Sequence, residues 1–319
     1  MTLLDLGIDI GGTKIALGLS KKRGLGLARE SYISAQAEMD PKTWYARLKT
    51  AIDQILGPDR AAFLKHGRVG LGIPGQILPD GSVGHCANTP VLRKFNLIQS
   101  LKRDFRVPVL ADNDANVAAL AEHQFGAGRG VQNMVYVTIS TGVGGGIIQN
   151  GKLMLGKFHN AGEVGHTILQ LGGERCGCGR YGCLEVYARG PALEARIRTR
   201  LRQSKLSAAE KKLLILAGGS AKNWSNHLLG QALRQGNSVA KAELDRHGYY
   251  LAEGLGSLMN ILDSDCLVLG GGLTQLGKPL FDAIIKHWPQ RSLVPRSDIR
   301  RATLGADIGI YGAIALCRQ

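Results

Sequence analysis

Runs of hydrophobic residues separated by glycine-containing turns predict an α/β protein in which strands and helices follow one another along the chain. Near the N-terminus, LDLGIDI has apolar residues at alternating positions, enters two glycines and returns as IALGLS. This pattern predicts a strand, a tight turn and a second strand over residues 3–20. The segment VPVLA at 107–111 predicts another buried strand, and the Ala-rich ANVAALAEHQF that follows soon after it predicts a helix.

The rest of the chain alternates in the same way. Asp40 and Pro41 are a typical N-cap and first helical residue, and they predict a helix that ends near Leu56. Residues 131–156 repeat the strand, glycine turn and strand of the N-terminus, which we interpret as an internal structural repeat. Residues 186–262 are predicted to be largely helical, and residues 265–277 to form a buried strand that ends in three glycines. The C-terminal segment is predicted to be a strand followed by an apolar helix from about Gly309.

Composition sets bounds on the class of protein. A chain of 319 residues that is 44% hydrophobic can bury a large core and is long enough for two domains. No apolar run reaches membrane-spanning length and the chain starts directly on a strand-like pattern. We therefore expect a soluble, cytoplasmic protein without a signal peptide, and no membrane partner.

The net charge of +15 raises the question of a nucleic-acid partner. The only dense basic run extends from Arg196 to Lys212, and its pattern predicts a solvated helical face with a capping box formed by Ser207 and Glu210. Aromatic residues make up only 5% of the chain, and no base-stacking pattern or helix-turn-helix pattern is present. No nucleic-acid partner is expected.

The two glycine turns carry groups that suit an anion. In the first, Asp9 precedes a turn whose backbone N–H groups, Thr hydroxyl and Lys ammonium could cradle a phosphate. An ordinary glycine hairpin is the alternative for this turn taken alone. The second turn, TGVGGG, offers similar groups, and the repetition favours phosphate binding. The candidate phosphate-binding residues are Gly11, Gly12, Thr13, Lys14, Thr141, Gly142 and Gly144.

A cluster of cysteines and a histidine predicts a structural zinc site. His166, Cys176, Cys178 and Cys183 have the spacing H-x9-C-x-C-x4-C, which supplies four ligands and leaves no open position for a catalytic water. A disulfide or free core thiols are the alternatives, but clustered Cys and His in a chain of this type favour metal. The metal does not need the two acidic residues that flank the cluster, Glu163 and Glu185.

Polar residues follow the strand at 107–111, where open α/β sheets bind ligands. Asp112, Asn113 and Asp114 stand at the start of the next helix. One of them could serve as its N-cap, but two acids and an amide are more than a cap requires. Other candidates are Gly75 and Asn88 in loops, and Gly270, Gly271 and Gly272, which would allow close approach of a flat ligand.

The order of these motifs resembles the ROK family (repressor, open reading frame, kinase) of the hexokinase, actin and Hsp70 superfamily. The resemblance rests on DIGGTK, GIPG, DNDAN, TGVGGG, GEVGH with CGCGRYGCLE, and LGGG, and it extends from Gly7 to about Ala313. It implies two ribonuclease-H-like α/β domains around a cleft. We expect a small domain at 1–121 plus about 305–319, and a large domain at 122–304 with the zinc loop (163–185) and a helical segment (192–262).

The resemblance also implies roles for individual residues. Asp114 matches the catalytic base of the family and Asn113 its sugar-binding neighbour, while Asp9 is a candidate to hold Mg²⁺ with ATP through water. Further sugar contacts would come from Gly75, Asn88, Glu163, His166 and Glu185, with His166 also binding Zn²⁺ through its other ring nitrogen. The glycine turns named above would hold the phosphates of ATP, and residues 270–272 would border the adenosine.

The function implied is that of an ATP-dependent kinase acting on the 6-hydroxyl of a hexose. The nine-residue gap before Cys176 and the sequence Ala161-Gly162-Glu163 look most like the glucokinases of the family. Kinases of N-acetylglucosamine, N-acetylmannosamine, fructose or mannose share the same catalytic residues and remain alternatives, as does polyphosphate as the donor. A sugar-responsive repressor is the non-enzyme alternative, although there is no room for a helix-turn-helix before Leu3. A homodimer is expected.

Overall fold

The computed structural model describes residues 4–21, 24–35, 39–78, 80–84, 86, 89–290, 292–293 and 298–319. The chain divides into two compact units. The first unit comprises Met1–Tyr136, Gly146–Gly162 and Ala302–Gln319, and the second comprises Val137–Gly145 and Glu163–Arg301. Each unit is described separately below.

The first sheet has five strands in the order β3-β2-β1-β4-β5. The first three strands form antiparallel pairs, and β4 and β5 continue the sheet in parallel with β1. The strands are β1 Leu4–Ile10, β2 Lys14–Ser20, β3 Arg29–Ser34, β4 Gly67–Ile73 and β5 Val109–Asn113. The predicted strands and turn at 3–20 are confirmed by β1 and β2, and the predicted strand at 107–111 is confirmed by β5.

The described part of the first unit has five α-helices. They are α1 Pro41–Leu56, α2 Arg60–His66, α3 Leu97–Phe105, α4 Asp114–Phe125 and the C-terminal α11 Ile308–Leu316. Three of them (α1, α3 and α4) begin with a side-chain cap. Asp40 caps α1, because its Oδ1 accepts hydrogen bonds from the backbone N–H groups of Lys42 and Thr43 at 3.0 Å. Both ends of this helix, at Pro41 and Leu56, agree with the prediction.

A row of glycines brings α11 against the first sheet. Gly7 on β1 pairs with Gly18 on β2 and with Gly70 on β4, so the three lie side by side across the sheet. A Cβ on Gly70 would lie 1.8 Å from the carbonyl oxygen of Ala313, and a Cβ on Gly7 would lie 2.5 Å from that of Ile310. The row is therefore a groove that only glycine can form, and it lets the backbone of the predicted apolar C-terminal helix lie directly on the strands.

The second sheet has the order β10-β9-β6-β7-β8. Its strands are β6 Met134–Ile139, β7 Val143–Gln149, β8 Lys152–Leu153, β9 Cys266–Gly270 and β10 Asp298–Arg301. Strands β9 and β10 are parallel, and β7 and β8 form an antiparallel hairpin. The helices that belong to the second unit are α5 Leu184–Ala188, α6 Gly190–Leu201, α7 Ala208–Leu216, α8 Asn226–Arg234, α9 Ser238–Leu262 and α10 Lys278–His287.

The basic run at 196–212 departs in part from its prediction. The capping box of Ser207 and Glu210 is confirmed at the start of α7. Arg196, in contrast, does not lie on a solvated face, because its side chain is only 17% exposed and pairs with the buried Glu243 of α9 at 3.1 Å. Arg200 binds the other carboxylate oxygen of Glu243 at 2.6 Å. The one-dimensional pattern missed this pairing because the acid lies more than 40 residues away.

No helix in the described part of the chain is long and apolar enough to cross a membrane.

A buried ion triad ties the two ends of the first unit together. Asp5 is fully buried, and its carboxylate binds Arg68 at 2.7 Å and Arg318 at 2.8 Å. We expect Asp5→Asn to lower the free energy of unfolding by about 2 kcal/mol, because two guanidinium groups would lose their anion, while Arg68 could still turn partly to water. Urea denaturation measures the change.

The exposed pair of Asp53 and Arg60, at 2.8 Å, provides the control. Asp53→Asn should cost less than about 1 kcal/mol, because water screens an exposed pair. Equal losses of stability in the Asp5 and Asp53 variants would contradict the importance of the triad.

A buried histidine gives the second unit a pH-dependent stability. His247 on α9 is fully buried, its Nδ1 lies 3.0 Å from the guanidinium of Arg196, and Glu243 lies one turn away. Burial and the charge of Arg196 lower the pKa of His247 from 6.5 to about 3. Between these values the unfolded chain binds a proton that the folded chain does not. The contribution of His247 to the free energy of unfolding is therefore fully present above pH 6.5. It falls by about 1.4 kcal/mol per pH unit as the pH drops toward 3.

We expect His247→Gln to remove this contribution. Between pH 7.5 and 5.5 the variant should lose roughly 1.4 kcal/mol less stability than the wild type. His66→Gln, at an exposed histidine, should leave the pH dependence as it is. Chemical denaturation at the two pH values measures the difference, and parallel pH profiles for wild type and His247→Gln would contradict the assignment.

Candidate functional site

Three polar residues at the junction of β5 and α4 have separate tasks. Asn113 is the N-cap of α4, since its Oδ1 accepts the N–H of Ala115 at 2.9 Å. Asp112 is buried, and its Oδ1 accepts the N–H of Asn113 at 2.7 Å and the side-chain amide of Asn116 at 2.9 Å. Asp114 is the first residue of the helix and is exposed. The cap is therefore supplied by the amide of Asn113, and the carboxylate of Asp114 lies in the first turn, at the positive end of the helix.

Asp9 lies within electrostatic range of Asp114. The pKa of Asp9 is raised to about 6, chiefly by burial and also by the charge of Asp114, while the charge of Lys14 partly counters the rise. Gly309 of α11 lies against the carboxylate of Asp9 and helps to bury it. A Cβ at position 309 would be 2.3 Å from the Cγ of Asp9. Two carboxylates in a confined place fit a bound cation, because Mg²⁺ prefers oxygen ligands and would relieve their repulsion.

The first glycine turn is closed by its own backbone. The N–H of Gly11 donates to the carbonyl of Lys14 at 2.9 Å, and the next residues, Gly12 and Thr13, are exposed. The ammonium group of Lys14 lies 4.5 Å from the centre of the Tyr32 ring. The turn thus presents exposed N–H groups, a hydroxyl and a cation on one hairpin, as the sequence suggested.

Gly75 lies next to Asn113. The side-chain amide of Asn113 donates to the carbonyl of Gly75 at 3.1 Å, and Gly75 has a φ of 154° that disfavours other residues. The predicted site residue Asn88 lies outside the described residues.

His159 is a residue near this junction that the sequence did not reveal. The preceding carbonyl, that of Phe158, accepts a hydrogen bond from Gln76 at 3.2 Å. Burial raises the pKa of Asp112, and hydrogen bonds from Asn116 and Asn113 and the charge of His159 counter that rise. His159 has a φ of 55°, which is uncommon for a residue with a side chain. Nothing in the segment KFHNAG marks this histidine, because its proximity to Asp112 depends on the fold.

The four predicted zinc ligands converge in the second unit. Their ligand atoms all lie within 4.8 Å of one another. Sγ of Cys178 is 3.7 Å from Sγ of Cys183, and Sγ of Cys176 is 3.7 Å from Nδ1 of His166. Ligands placed about 2.3 Å from a tetrahedral zinc ion lie roughly 3.8 Å apart, so this set fits Zn²⁺.

The protonation of the cysteines also fits a metal site. Burial raises the pKa of Cys176 and raises that of Cys183 to about 12, whereas a backbone hydrogen bond at Arg180 helps to lower the pKa of Cys178. Burial is the largest cause of the raised pKa of Cys176 and Cys183, and a nearby positive charge would offset it. A bound zinc ion would supply that charge and hold the loop closed.

The two acids flanking the cluster are placed differently. Glu185 lies in the first turn of α5, and its Oε2 accepts the N–H of Val143 at 3.0 Å. A Cβ on Gly142 would lie 2.6 Å from that oxygen, so a side chain at this position would displace the carboxylate of Glu185. Glu163 is 55% exposed, and its Oε2 lies 3.9 Å from Nε2 of His166. The structure therefore brings Glu163, His166, Glu185 and the second glycine turn together within the second unit.

Tyr187 holds the zinc loop from the helix side and was missed from the sequence. Its hydroxyl accepts the N–H of Glu174 at 2.7 Å, and a Cβ on Gly173 would lie 2.0 Å from the same oxygen. Its ring packs with Cys176 and Cys183. Tyr187 and Glu185 share α5, so this contact links the loop to the helix that carries the acid.

Two adjacent cavities of the second unit share lining residues, and the smaller one reaches the second glycine turn. One, of about 230 Å³, is lined by residues that include Thr141, Asn226 and Gly272. The other, of about 590 Å³, also contacts Asn226 and Gly272, and extends to Leu276 and Pro279. Together they form a path from a hydroxyl-bearing turn to a partly apolar pocket. Packing explains why residue 271 is glycine, because a Cβ there would lie 2.5 Å from the carbonyl oxygen of Ile139 and the φ of 87° disfavours other residues.

Comparison with known proteins agrees with this arrangement. A glucokinase of Halalkalibacterium halodurans is 34% identical over 324 residues, covering 98% of this chain and 94% of the relative. An N-acetylmannosamine kinase of Escherichia coli O157:H7 is 32% identical over 320 residues, with 99% of each chain covered. The crystal structure of a ROK family glucokinase from Streptomyces griseus in complex with glucose and AMPPNP matches with a TM-score of 0.80 and 31% identity over 99% of each chain. The ROK family model matches residues 5–319, and the chain therefore belongs to the ROK family.

Proposed function

We propose that this protein is an ATP-dependent hexose kinase that transfers the γ-phosphate of ATP to the 6-hydroxyl of glucose. The observation that carries the proposal is the arrangement at the start of α4, where Asn113 caps the helix and the exposed Asp114 lies in its first turn, within electrostatic range of Asp9. The relatives named glucokinase support the choice of reaction, because they match over almost the whole chain.

In the proposed mechanism, Asp114 is the general base. A sugar hydroxyl is a weak nucleophile, and a carboxylate within hydrogen-bond reach can accept its proton as the oxygen attacks the γ-phosphorus. The N-terminus of α4 favours the ionised form of this carboxylate before the proton arrives. Asp9 would hold Mg²⁺ through water, and the ion would neutralise charge on the phosphates of ATP.

The sugar would be held by hydroxyl-binding groups supplied by different elements. Asn113 and the Gly75 turn would contribute at the junction of β5 and α4, and Glu163, His166 and Glu185 would contribute beside the zinc cluster. A carboxylate or an imidazole binds a hydroxyl strongly because one partner of the hydrogen bond is charged or strongly polar. The structural zinc would keep His166 and the two acids in a fixed arrangement, with Nδ1 of His166 toward the metal and Nε2 toward the sugar.

The nucleotide would use both glycine turns. Residues 11–14 and Thr141, Gly142 and Gly144 would contact phosphates through N–H groups and hydroxyls. The cavity that reaches Gly272 and Leu276 would accept the adenosine, since its partly apolar wall suits a flat base. Gly271 packs on the backbone of Ile139. We therefore propose that Gly272, and not Gly271, contacts the adenosine.

An N-acetylmannosamine kinase is the second candidate, because such an enzyme is 32% identical to this chain over 99% of its length. A coupled ADP-release assay with ATP and Mg²⁺ separates the candidates when glucose, mannose, fructose, N-acetylglucosamine and N-acetylmannosamine are compared. The highest kcat/KM is expected for glucose.

A higher kcat/KM for an acetamido sugar would keep the mechanism and replace the substrate. Turnover with polyphosphate but not with ATP would replace the donor. No turnover of any sugar by folded, zinc-loaded protein would overturn the proposal.

A further inference from the structure

A cavity in the second unit lies beside the zinc loop. It has a volume of about 740 Å³, which is within the range of small-molecule sites. Its walls come from the zinc loop at Gly173 and Glu174, from Tyr187 on α5, and from exposed faces of α6 and α9. None of the sugar-binding or nucleotide-binding candidates lines it.

The cavity carries an excess of positive charge. Four arginines line it, at positions 189, 196, 200 and 246, against two glutamates, at 174 and 243. Both oxygens of Glu243 are already used, by Arg196 at 3.1 Å and by Arg200 at 2.6 Å. The guanidinium of Arg196 also donates to the carbonyl of Tyr187 at 3.1 Å. The one buried carboxylate therefore neutralises two arginines at most.

The other two arginines have no carboxylate partner among the described residues. Arg246 donates through Nε to the hydroxyl of Tyr250 at 2.9 Å, and this leaves its two terminal nitrogens for other acceptors. Nε of Arg189 is buried and has no hydrogen-bond partner in the described part of the chain. A buried guanidinium nitrogen without an acceptor is costly, and a negative charge near Arg189 would offset part of that cost.

Tyr250 fixes the geometry of two of these cations. The centre of its ring lies 5.5 Å from the guanidinium carbon of Arg196 and 5.6 Å from that of Arg246, so the ring makes a cation–π contact with both arginines. Burial lowers the pKa of Arg196, and the charge of Arg246 adds to that lowering. The terminal nitrogens of Arg246 can donate to an anion, and Arg196, whose nitrogens already bind protein acceptors, adds positive charge beside them.

We propose that this cavity, lined by Arg189, Arg196, Arg246 and Tyr250, binds a small phosphorylated molecule at a site separate from the proposed kinase site. A phosphate group suits the site because guanidinium forks bind its oxygens in pairs and because it carries the two negative charges that the cavity lacks. The volume has room for a phosphate ester or a diphosphate and not only for inorganic phosphate.

The test uses the full, zinc-loaded protein and pyrophosphate as the probe. Binding is measured by isothermal titration calorimetry at constant ionic strength for the wild type, Arg246→Ala and Arg202→Ala. Arg246 and Arg202 are both exposed, and Arg202 ends α6 without lining the cavity, so the two variants lose the same charge. Circular dichroism and kinase turnover without pyrophosphate check that each variant is folded.

We expect saturable binding of pyrophosphate to the wild type, roughly tenfold or greater weakening in Arg246→Ala, and near wild-type affinity in Arg202→Ala, since loss of one charged hydrogen bond costs about a factor of ten. Equal affinity in all three proteins would place any bound pyrophosphate elsewhere and overturn the proposal. Absence of saturable binding would also overturn it. A change in oligomeric state in Arg246→Ala without a change in pyrophosphate affinity would assign the cavity to contact with a second copy of the chain instead.

Discussion

Replacing Asp114 by Asn is expected to lower kcat for sugar phosphorylation by about 10² to 10⁴, the usual contribution of a general base. The amide keeps the size of the side chain and cannot accept the proton of the sugar hydroxyl. The KM for the sugar should change little, because Asn113 and the other proposed sugar ligands are untouched. Initial rates at saturating ATP, with the sugar varied, separate the two constants.

Asp53→Asn is the matched control, since it makes the same chemical change on an exposed face of α1. It should retain wild-type turnover. A rise in KM with unchanged kcat in Asp114→Asn would contradict its role as a base and make it a binding residue only.

Replacing Cys178 by Ser is expected to remove the zinc and to lower kcat/KM for the sugar by about 10² or more. Cys178 is the exposed member of the cluster, so this change removes a ligand without opening a hole in the core. Without the ion, the loop that carries His166 would no longer be held, and Glu163 and Glu185 would lose their common support. The contacts of Tyr187 with the loop would remain, so the fold should survive. Zinc content after dialysis is measured by atomic absorption beside the kinetics.

Cys266→Ala supplies the control, because Cys266 is buried in β9 and does not belong to the cluster. It should keep its zinc and its turnover. If Cys178→Ser lost zinc but kept full kcat/KM, the metal would have no part in sugar binding. If it kept its zinc, the ligand assignment would be wrong.

Much of the fold could be predicted because its boundaries are marked by local chemistry. The cap at Asp40, the turn after Ile10 and the strand that ends at Asn113 each depend on a few consecutive residues, and each was found. The row of Gly7, Gly18 and Gly70 could not be found in that way, because the three glycines come from three strands and act on a fourth element. Long-range register decides such contacts.

The candidate site shows the same division. The zinc ligands are close in sequence, so their spacing alone predicted the cluster that the structure brings together. The tasks of Asp112 and Asn113 could be separated only when their hydrogen bonds were visible. Arg196 was placed on a solvated face because helical periodicity cannot show an acid that arrives from another helix. The homodimer and the roles of the individual sugar-binding residues stay predictions from the family resemblance.

The most direct test of the account is ³¹P NMR of a reaction containing the zinc-loaded protein, ATP, Mg²⁺ and glucose. The account predicts that the γ-phosphate signal of ATP disappears while ADP and a single phosphomonoester at the 6-hydroxyl appear together. It also predicts that Asp114→Asn gives neither product in the same time. The account would be contradicted by a phosphomonoester at another hydroxyl, by ADP formation with inorganic phosphate as the only other product, or by full product formation in the Asp114 variant.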